Sequence, residues 1–391
     1  MSQQGRALRP VAGAWDVFCR VVDNFGDIGV CWRLCRILVR EFGIPVRLVV
    51  DRPEYLERIG GDPHIVSNAA TGADISVVEW SDALLPTSDT GVVIEAFACD
   101  LPAGYALRMA ADGVSRLWIN LEYLSAEAWI EDCHGLVSRH PQLGLDKHFL
   151  FPGFTARTAG LLRETDLRGQ RDRFRTDPAA RASTWLALGM GAPGPGEHRA
   201  SLFGYENPAA GPLLDAMAGG DTPWTVLVPE GRSCAGLAAI FGVSLSSPGD
   251  AVVRGALRVQ VVPFTGQDAY DRLLWACDLN LVRGEDSLVR ALWAGRPFLW
   301  QAYPQSDRAH LDKVEALLLR LSDGVGDTLA TDRLGLAMRA WNGVPVGGDP
   351  WTTLLADLPA LCVGVERWSV ALEGGPELAE TLVNLTESRV I

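Results

Sequence analysis

No stretch of this chain approaches the roughly 20 consecutive apolar residues that a bilayer-spanning helix needs. Residues 1–13 carry Arg6 and Arg9 with no apolar segment that could serve as a secretory leader. The sequence therefore points to a cytoplasmic protein without membrane contact. Histidine is scarce, at six residues, and shows neither HxxxH nor Cys/His spacing, so no metal site is expected. The eight cysteines, at 19, 31, 35, 99, 133, 234, 277 and 362, contain no CxxC pair and lie mostly in apolar runs, as buried thiols in a reducing compartment would. Positive charge is also short: 35 Lys and Arg stand against 48 Asp and Glu, a formal net charge of −13. A nucleic-acid partner needs clustered cations on one face, so that class is excluded, and a cationic or neutral partner is favoured.

What is present is the composition of an ordinary soluble protein, 48% hydrophobic and 21% charged over 391 residues, long enough for two domains. The chain is organised around Trp15 to Phe42. A short apolar run, Trp15 to Cys19, breaks at Asp23-Asn24-Phe25-Gly26-Asp27-Ile28-Gly29 and resumes with Val30, Trp32, Leu34, Leu38 and Val39 interleaved with arginines. This reads as strand, glycine loop and helix, with Gly43 as the helix stop and Pro45 to Val50 as the next strand. In open α/β sheets ligands bind beyond the carboxyl ends of the strands, where this loop sits. Two acids, an amide and two glycines in seven residues favour a site; the plainer alternative is a tight turn with Asp27 capping the helix.

Further strands are read at 75–79, 92–97 and 116–120, with helices at 101–111 and 126–131, and the alternation implies a mostly parallel sheet covered on both faces. Residues 163–181 carry alternating charges and few apolar groups, which places a domain boundary near 175–185. Gly189 to Gly196 reads as a surface loop. The same rhythm then restarts. Strands are expected at 201–205, 224–228, 258–262, 278–282 and 297–301; helices at 268–276, 286–294 and 307–321, with Asn207-Pro208 capping another. The expected organisation is an N-terminal Rossmann-like domain, 1–180, and a C-terminal one, 181–364, with a helix at about 365–391 packing back onto the first.

The second constellation is Arg283-Gly284-Glu285-Asp286-Ser287, between a strand and a helix that begins with exposed N–H groups. That terminus is an anion site to which Arg283 adds charge and Ser287 a hydroxyl. Glu285 suits a sugar hydroxyl better than a phosphate. The alternative is an ordinary cap with Arg283 paired to Glu285 on the surface. Phe203, Tyr205 and Phe264 stand at strand ends, where aromatic faces can stack on a base and the carboxamide of Gln267 can bond its edge, although each ring taken alone is more often core than ligand clamp.

At these residues the chain resembles the elongation factor P protein-arginine rhamnosyltransferases, bacterial enzymes of the GT-B class. The carrying motifs are Val22 to Leu34, Asn120 to Ala126, Phe151 to Thr155, Leu202 to Asn207, Val282 to Ser287 and Trp293 to Phe298, in a match from about residue 15 to 315. The resemblance implies two Rossmann-like domains facing each other across a cleft. It implies transfer of rhamnose from dTDP-β-L-rhamnose to an arginine of elongation factor P, with inversion and without metal or other cofactor. Asp27 would be the general base, Asp23 its acidic neighbour and Glu285 a second essential acid. Asn24, Phe25 and Gly26 would lie at the acceptor loop; Tyr205, Gln267 and Arg283, Gly284, Asp286 and Ser287 would hold the nucleotide-sugar, with Phe203 and Phe264 near the thymine. Two departures are Gln301, where the family often has histidine, and a longer glycine-proline loop after Leu188; neither is expected to touch the chemistry. A GT-B enzyme with another nucleotide-sugar or acceptor is the alternative. A nicotinamide oxidoreductase is disfavoured because the opening loop lacks GxGxxG.

Overall fold

β1 (Ala14–Cys19) is buried almost throughout, as a parallel strand covered by helices on both faces must be. The chain turns from it into α1 (Gly26–Phe42), which buries Ile28, Cys31, Trp32, Cys35 and Leu38 at helical spacing. Gly43 N–H donates to Val39 O and Ile44 N–H to Leu38 O, the paired bonds of a Schellman stop. The computed structural model describes residues 13–22, 25–62, 66–305, 308–326 and 328–388.

The chain continues through β2 (Val46–Val50), α2 (Glu54–Arg58), β3 (Ser67–Asn68), β4 (Ala73–Glu79), β5 (Thr90–Ala96), α3 (Ala103–Ala111), β6 (Leu117–Leu121), α4 (Ile130–Cys133), β7 (Val137–Arg139) and β8 (Asp146–Leu150). These strands form one eight-stranded sheet in the order β3-β4-β2-β1-β5-β6-β8-β7. Its interior pairs are parallel, and the short edge strands β3 and β7 are antiparallel to β4 and β8. Under the sheet lie Phe18, Val49, Val93, Tyr105, Met109 and Trp118.

The second sheet is approached through α5 (Leu167–Thr176) and α6 (Pro178–Ala187), followed by β9 (His198–Leu202), α7 (Ala210–Gly219), β10 (Trp224–Pro229), α8 (Arg232–Phe241), β11 (Ala251–Arg254), β12 (Leu257–Val262), α9 (Gln267–Ala276), β13 (Leu279–Arg283), α10 (Glu285–Trp293) and β14 (Phe298–Gln301). Its six strands run β11-β12-β10-β9-β13-β14, parallel except for β11 at the edge. α11 (Ala309–Val325), α12 (Thr328–Trp341), α13 (Pro350–Leu372) and α14 (Leu378–Glu387) complete the described chain. Among the described residues no helix is long and apolar enough to cross a membrane.

The chain divides into two compact units, 1–165 with 375–391, and 166–374. The division falls earlier than the 175–185 read from sequence. The charged stretch there is not a linker: Asp177 accepts from the N–H groups of Ala179 and Ala180 with Pro178 in the first turn, starting α6. Leu167, Arg171 and Phe174 bury one face of α5, and Phe174 packs against Trp275 of α9. Arg171 donates to Trp293 O and pairs with Glu366, which binds α5 to the second unit. β9 also lies three residues earlier than expected. Asn207 therefore caps nothing directly; its side chain accepts from Ala209 N–H and donates to Trp341 O, and α7 starts beyond it. Gly189 to Gly196 is a largely exposed loop.

Candidate active site

Each sheet has a point where successive crossovers leave in opposite directions, and there the loops part to leave a crevice at the carboxyl ends. In the first sheet that point lies between β1 and β5. The loop after β1 delivers Asp27, in the first turn of α1 and buried. Its side chain does not cap its own helix, because the N-cap position is Phe25 and makes no side-chain cap bond. Asp27 Oδ2 instead accepts from Val22 N–H at 2.7 Å, and Oδ1 accepts from the Tyr123 hydroxyl at 3.3 Å. Two donors thus engage the two oxygens of one buried carboxylate at the start of α1. Phe25 packs edge-on to Tyr55 at 5.3 Å under the Arg58 guanidinium, and Gly26 begins the helix. Asp23 and Asn24 lie outside the described residues.

The loop after β5 contributes a feature that sequence reading missed. Phe97, Ala98 and Asp100 all have positive φ, at 59°, 51° and 53°. Such angles are uncommon for non-glycine residues and mark functional turns when they cluster. The Phe97 ring stacks on Tyr123, centroids 4.5 Å apart and planes 15° from parallel. Beside it, burial raises the Glu122 carboxyl against the opposing hydrogen bond from Asn120, with Glu95 adding to the rise. Among the described residues no group of three His, Cys, Asp or Glu side chains is arranged to hold a metal ion.

In the second sheet the corresponding point lies between β9 and β13. Phe203, Gly204 and Tyr205 leave β9 there, and Arg283, Gly284, Glu285, Asp286 and Ser287 join β13 to α10. Arg283 is buried, its guanidinium 4.9 Å from the centre of the Phe203 ring and 4.5 Å from that of Tyr205, which places a fixed cation between two aromatic faces. It is not an exposed surface charge. Gly284 has φ 64° and ψ −174°, and Trp300 Nε1–H donates to its carbonyl at 2.9 Å, so the turn into α10 is held from behind. Phe203 meets Phe264 and Tyr270 edge-on at 6.3 and 5.6 Å.

The helices α9 and α10 are tied to one another at this end. Gln267 Nε2 donates to Asp286 Oδ2 at 3.4 Å. Burial pushes the Tyr270 phenol up, with Ser287 opposing the shift, and the buried phenol oxygen itself makes no hydrogen bond among the described residues. One turn on, Arg290 donates from Nε and Nη2 to Asp271 at 2.9 and 2.6 Å, both residues buried. Thus the structure brings together Phe203, Tyr205, Phe264, Gln267, Arg283, Gly284, Asp286 and Ser287, with Glu285 half-buried at the first position of α10. Tyr270, Asp271 and Arg290 were missed because charged and phenolic residues at helical spacing look like a solvated face. Gln301 braces a loop of this site through that loop's backbone. Its Oε1 accepts from Tyr205 N–H at 2.9 Å, while Ser233 Oγ accepts from Gly204 N–H and donates to Gly204 O, so Gln301 does reach the Phe203 to Tyr205 loop.

The family described as elongation-factor P (EF-P) rhamnosyltransferase EarP matches residues 15–387. A protein-arginine rhamnosyltransferase of Pseudomonas putida is 47% identical over 95% of this chain and 97% of its own, and one of Pseudomonas aeruginosa is 45% identical over 95% and 98%. A solved structure reported as the structural basis for EarP-mediated arginine glycosylation of translation elongation factor EF-P matches with a TM-score of 0.66 at 36% identity, over 96% of this chain and 99% of that one. The spinosyn rhamnosyltransferase SpnG, at 11% identity and a TM-score of 0.52, shares the fold alone over 95% of this chain and 99% of its own. These likenesses are to glycosyltransferases of the GT-B class, to which the two Rossmann-like units belong. With a match spanning both sheets and both constellations, the chain belongs to the EF-P rhamnosyltransferase EarP family.

Proposed function

We propose that this protein transfers L-rhamnose from dTDP-β-L-rhamnose to an arginine side chain of elongation factor P in the cytoplasm, inverting the anomeric carbon, with Asp27 as general base. The observation that carries the reading is that the acid and the aromatic, cationic loop each stand at the switch point of their own sheet. The acceptor is supported by the 45–47% identical relatives, which are protein-arginine rhamnosyltransferases, and by membership in the EF-P rhamnosyltransferase family.

An arginine guanidinium has a pKa above about 12 and its nitrogen is a poor nucleophile until a carboxylate orients it and accepts a proton. In this reading the nitrogen attacks the anomeric carbon, the bond from that carbon to the diphosphate oxygen breaks, and the proton leaves to Asp27. Asp23 and Asn24 complete the acceptor loop with Phe25 and Gly26. The charge developing on the departing diphosphate is met by the N–H groups at the start of α10 and by Arg283, with Ser287 as a further donor. Asp286 and Gln267 brace that turn. Phe203, Phe264 and Tyr205 hold the nucleoside, and Glu285 takes a sugar hydroxyl. No cofactor enters the scheme.

The test is intact-mass measurement of elongation factor P after incubation with the enzyme and dTDP-rhamnose. One added deoxyhexose, located to an arginine, is the expected result. An unmodified acceptor with a donor shown to be active in a sister enzyme would overturn the reading.

A further inference from the structure

We infer that Tyr123 is a positioning residue for Asp27, and that the left-handed turn Phe97 to Asp100 is built to hold Tyr123 in place. The inference rests on the proposed role of Asp27 as base and extends it to residues outside the opening loop. Tyr123 lies two residues beyond β6, and its hydroxyl donates to Asp27 Oδ1 at 3.3 Å, while Val22 N–H holds Oδ2 at 2.7 Å. The two donors engage different oxygens and so fix the rotation of the carboxylate.

The phenol ring is itself held. Phe97 lies flat against it at 4.5 Å, on a residue whose φ of 59° a phenylalanine seldom adopts. Several bonds keep the turn in that shape. Phe97 N–H donates to Leu121 O at 2.7 Å, Asp100 N–H to Glu95 Oε1 at 3.1 Å, and the Cys99 thiol to Phe18 O at 3.5 Å. Glu95 is buried on β5 and is held in turn by Trp118 Nε1–H at 3.1 Å and Lys147 Nζ at 2.8 Å. A turn serving only to reverse the chain would place glycine at these angles. Here a phenylalanine occupies one of them, half-buried at the carboxyl edge of the sheet, with its ring against the phenol that donates to the proposed base.

A hydrogen bond to the ionised form of an acid lowers its pKa, so removing the Tyr123 hydroxyl raises that of Asp27. Among the described residues, titratable groups on Asp27's side of the loop include the Cys19 and Cys31 thiols, and Asp51, which accepts from Val21 N–H and acts on the same Cys19. Cys19 is raised by its hydrogen bond with Cys31 and by burial; the same bond pulls Cys31 down, yet burial and neighbouring charge raise it on balance. Neither thiol titrates in the acid range, and Asp23 and Asp51 are kept in every variant.

The experiment compares Tyr123→Phe, Phe97→Leu and Asp27→Asn with the parent in steady-state rhamnosyl transfer to elongation factor P across pH. Tyr123→Phe keeps the ring and the stack. It should lower kcat by about tenfold or more, as loss of a bond to a charged group does, leave the donor KM unchanged, and move the acid limb of kcat to higher pH. Phe97→Leu should shift the limb in the same direction by less. A merely structural tyrosine would change thermal stability without moving the limb. An unmoved limb and native kcat in Tyr123→Phe, with Asp27→Asn inactive, overturns the inference and leaves the base assignment standing. Near-native turnover in Asp27→Asn overturns the base assignment itself. If Tyr123→Phe melts early, the limb of Phe97→Leu decides: a shift supports the inference, and none overturns it.

Discussion

Asp27 and Glu285 each occupy the first turn of a helix at the carboxyl end of a sheet, but they differ in surroundings. Asp27 is 3% exposed and gripped by a backbone and a phenolic donor, whereas Glu285 is half-buried at the start of α10. Asparagine at 27 preserves shape and can accept from Val22 with its carbonyl, but it takes no proton. Asp27→Asn should therefore reduce turnover about a hundredfold or more while leaving affinity for dTDP-rhamnose nearly unchanged, since Arg283 and its neighbours are untouched. Glu285→Gln should reduce turnover similarly and weaken the donor as well, because it alters the turn that Arg283 and Ser287 share. Calorimetric titration of dTDP-rhamnose into each variant separates the two. Native turnover in Asp27→Asn would make the opening loop a structural turn.

At the level of elements, the pair α9 and α10 sets the geometry of the loop from Arg283 to Ser287, proposed above to hold the donor. Arg290 and Asp271 lie one turn behind Gln267, Asp286 and Ser287, and both are buried. Removing one partner leaves a buried charge uncompensated, at a cost of about 3–5 kcal/mol. Arg290→Met should lower the urea midpoint accordingly and raise the donor KM about tenfold, and adding Asp271→Leu should restore most of the stability without restoring KM. An unaltered KM in a folded Arg290→Met would confine the pair to stability. Elements of this kind show how far the sequence could be read. β1 with α1 and β13 with α10 were legible because an apolar run, a glycine and a helical stripe follow one another locally. α5 was not, since its buried face includes Arg171, whose charge is satisfied by Trp293 O and Glu366 far along the chain. The turn at Phe97 left no sign, because its left-handed angles fall on residues that ordinarily avoid them and its supports come from Glu95 and Leu121. The two candidate acids were legible as residues, and the side chains packed around them were not.

For the whole molecule, the path of the chain matters as much as its two sheets. It leaves the first unit after Thr165 and re-enters at Gly375. The two passages are bonded where they meet: Leu161 N–H to Pro376 O, Leu378 N–H to Leu161 O, and Arg163 N–H to Glu377 Oε1. Gly160 permits this, since a Cβ there would lie 2.0 Å from Pro376 O. Burial pushes the Glu377 carboxyl up to about 7, partly opposed by the N–H groups of Glu380, Ala379 and Arg163 and reinforced by Glu41. A folded pKa raised above the unfolded value adds stability that is complete below the unfolded pKa and lost as pH rises through the folded one. Thermal melts should therefore weaken between about pH 4.5 and 7, by about 3 kcal/mol at most, and Glu377→Gln should flatten that slope; an unchanged slope in the variant would place the titration elsewhere. The double passage also bears on the order in which the protein is made. α14 packs against α1 and buries Leu378, Ala379, Leu382 and Val383, yet it leaves the ribosome only after the entire second unit. The unit synthesised first is thus the one completed last, and α1 gains its packing against α14 only after the second unit has been made.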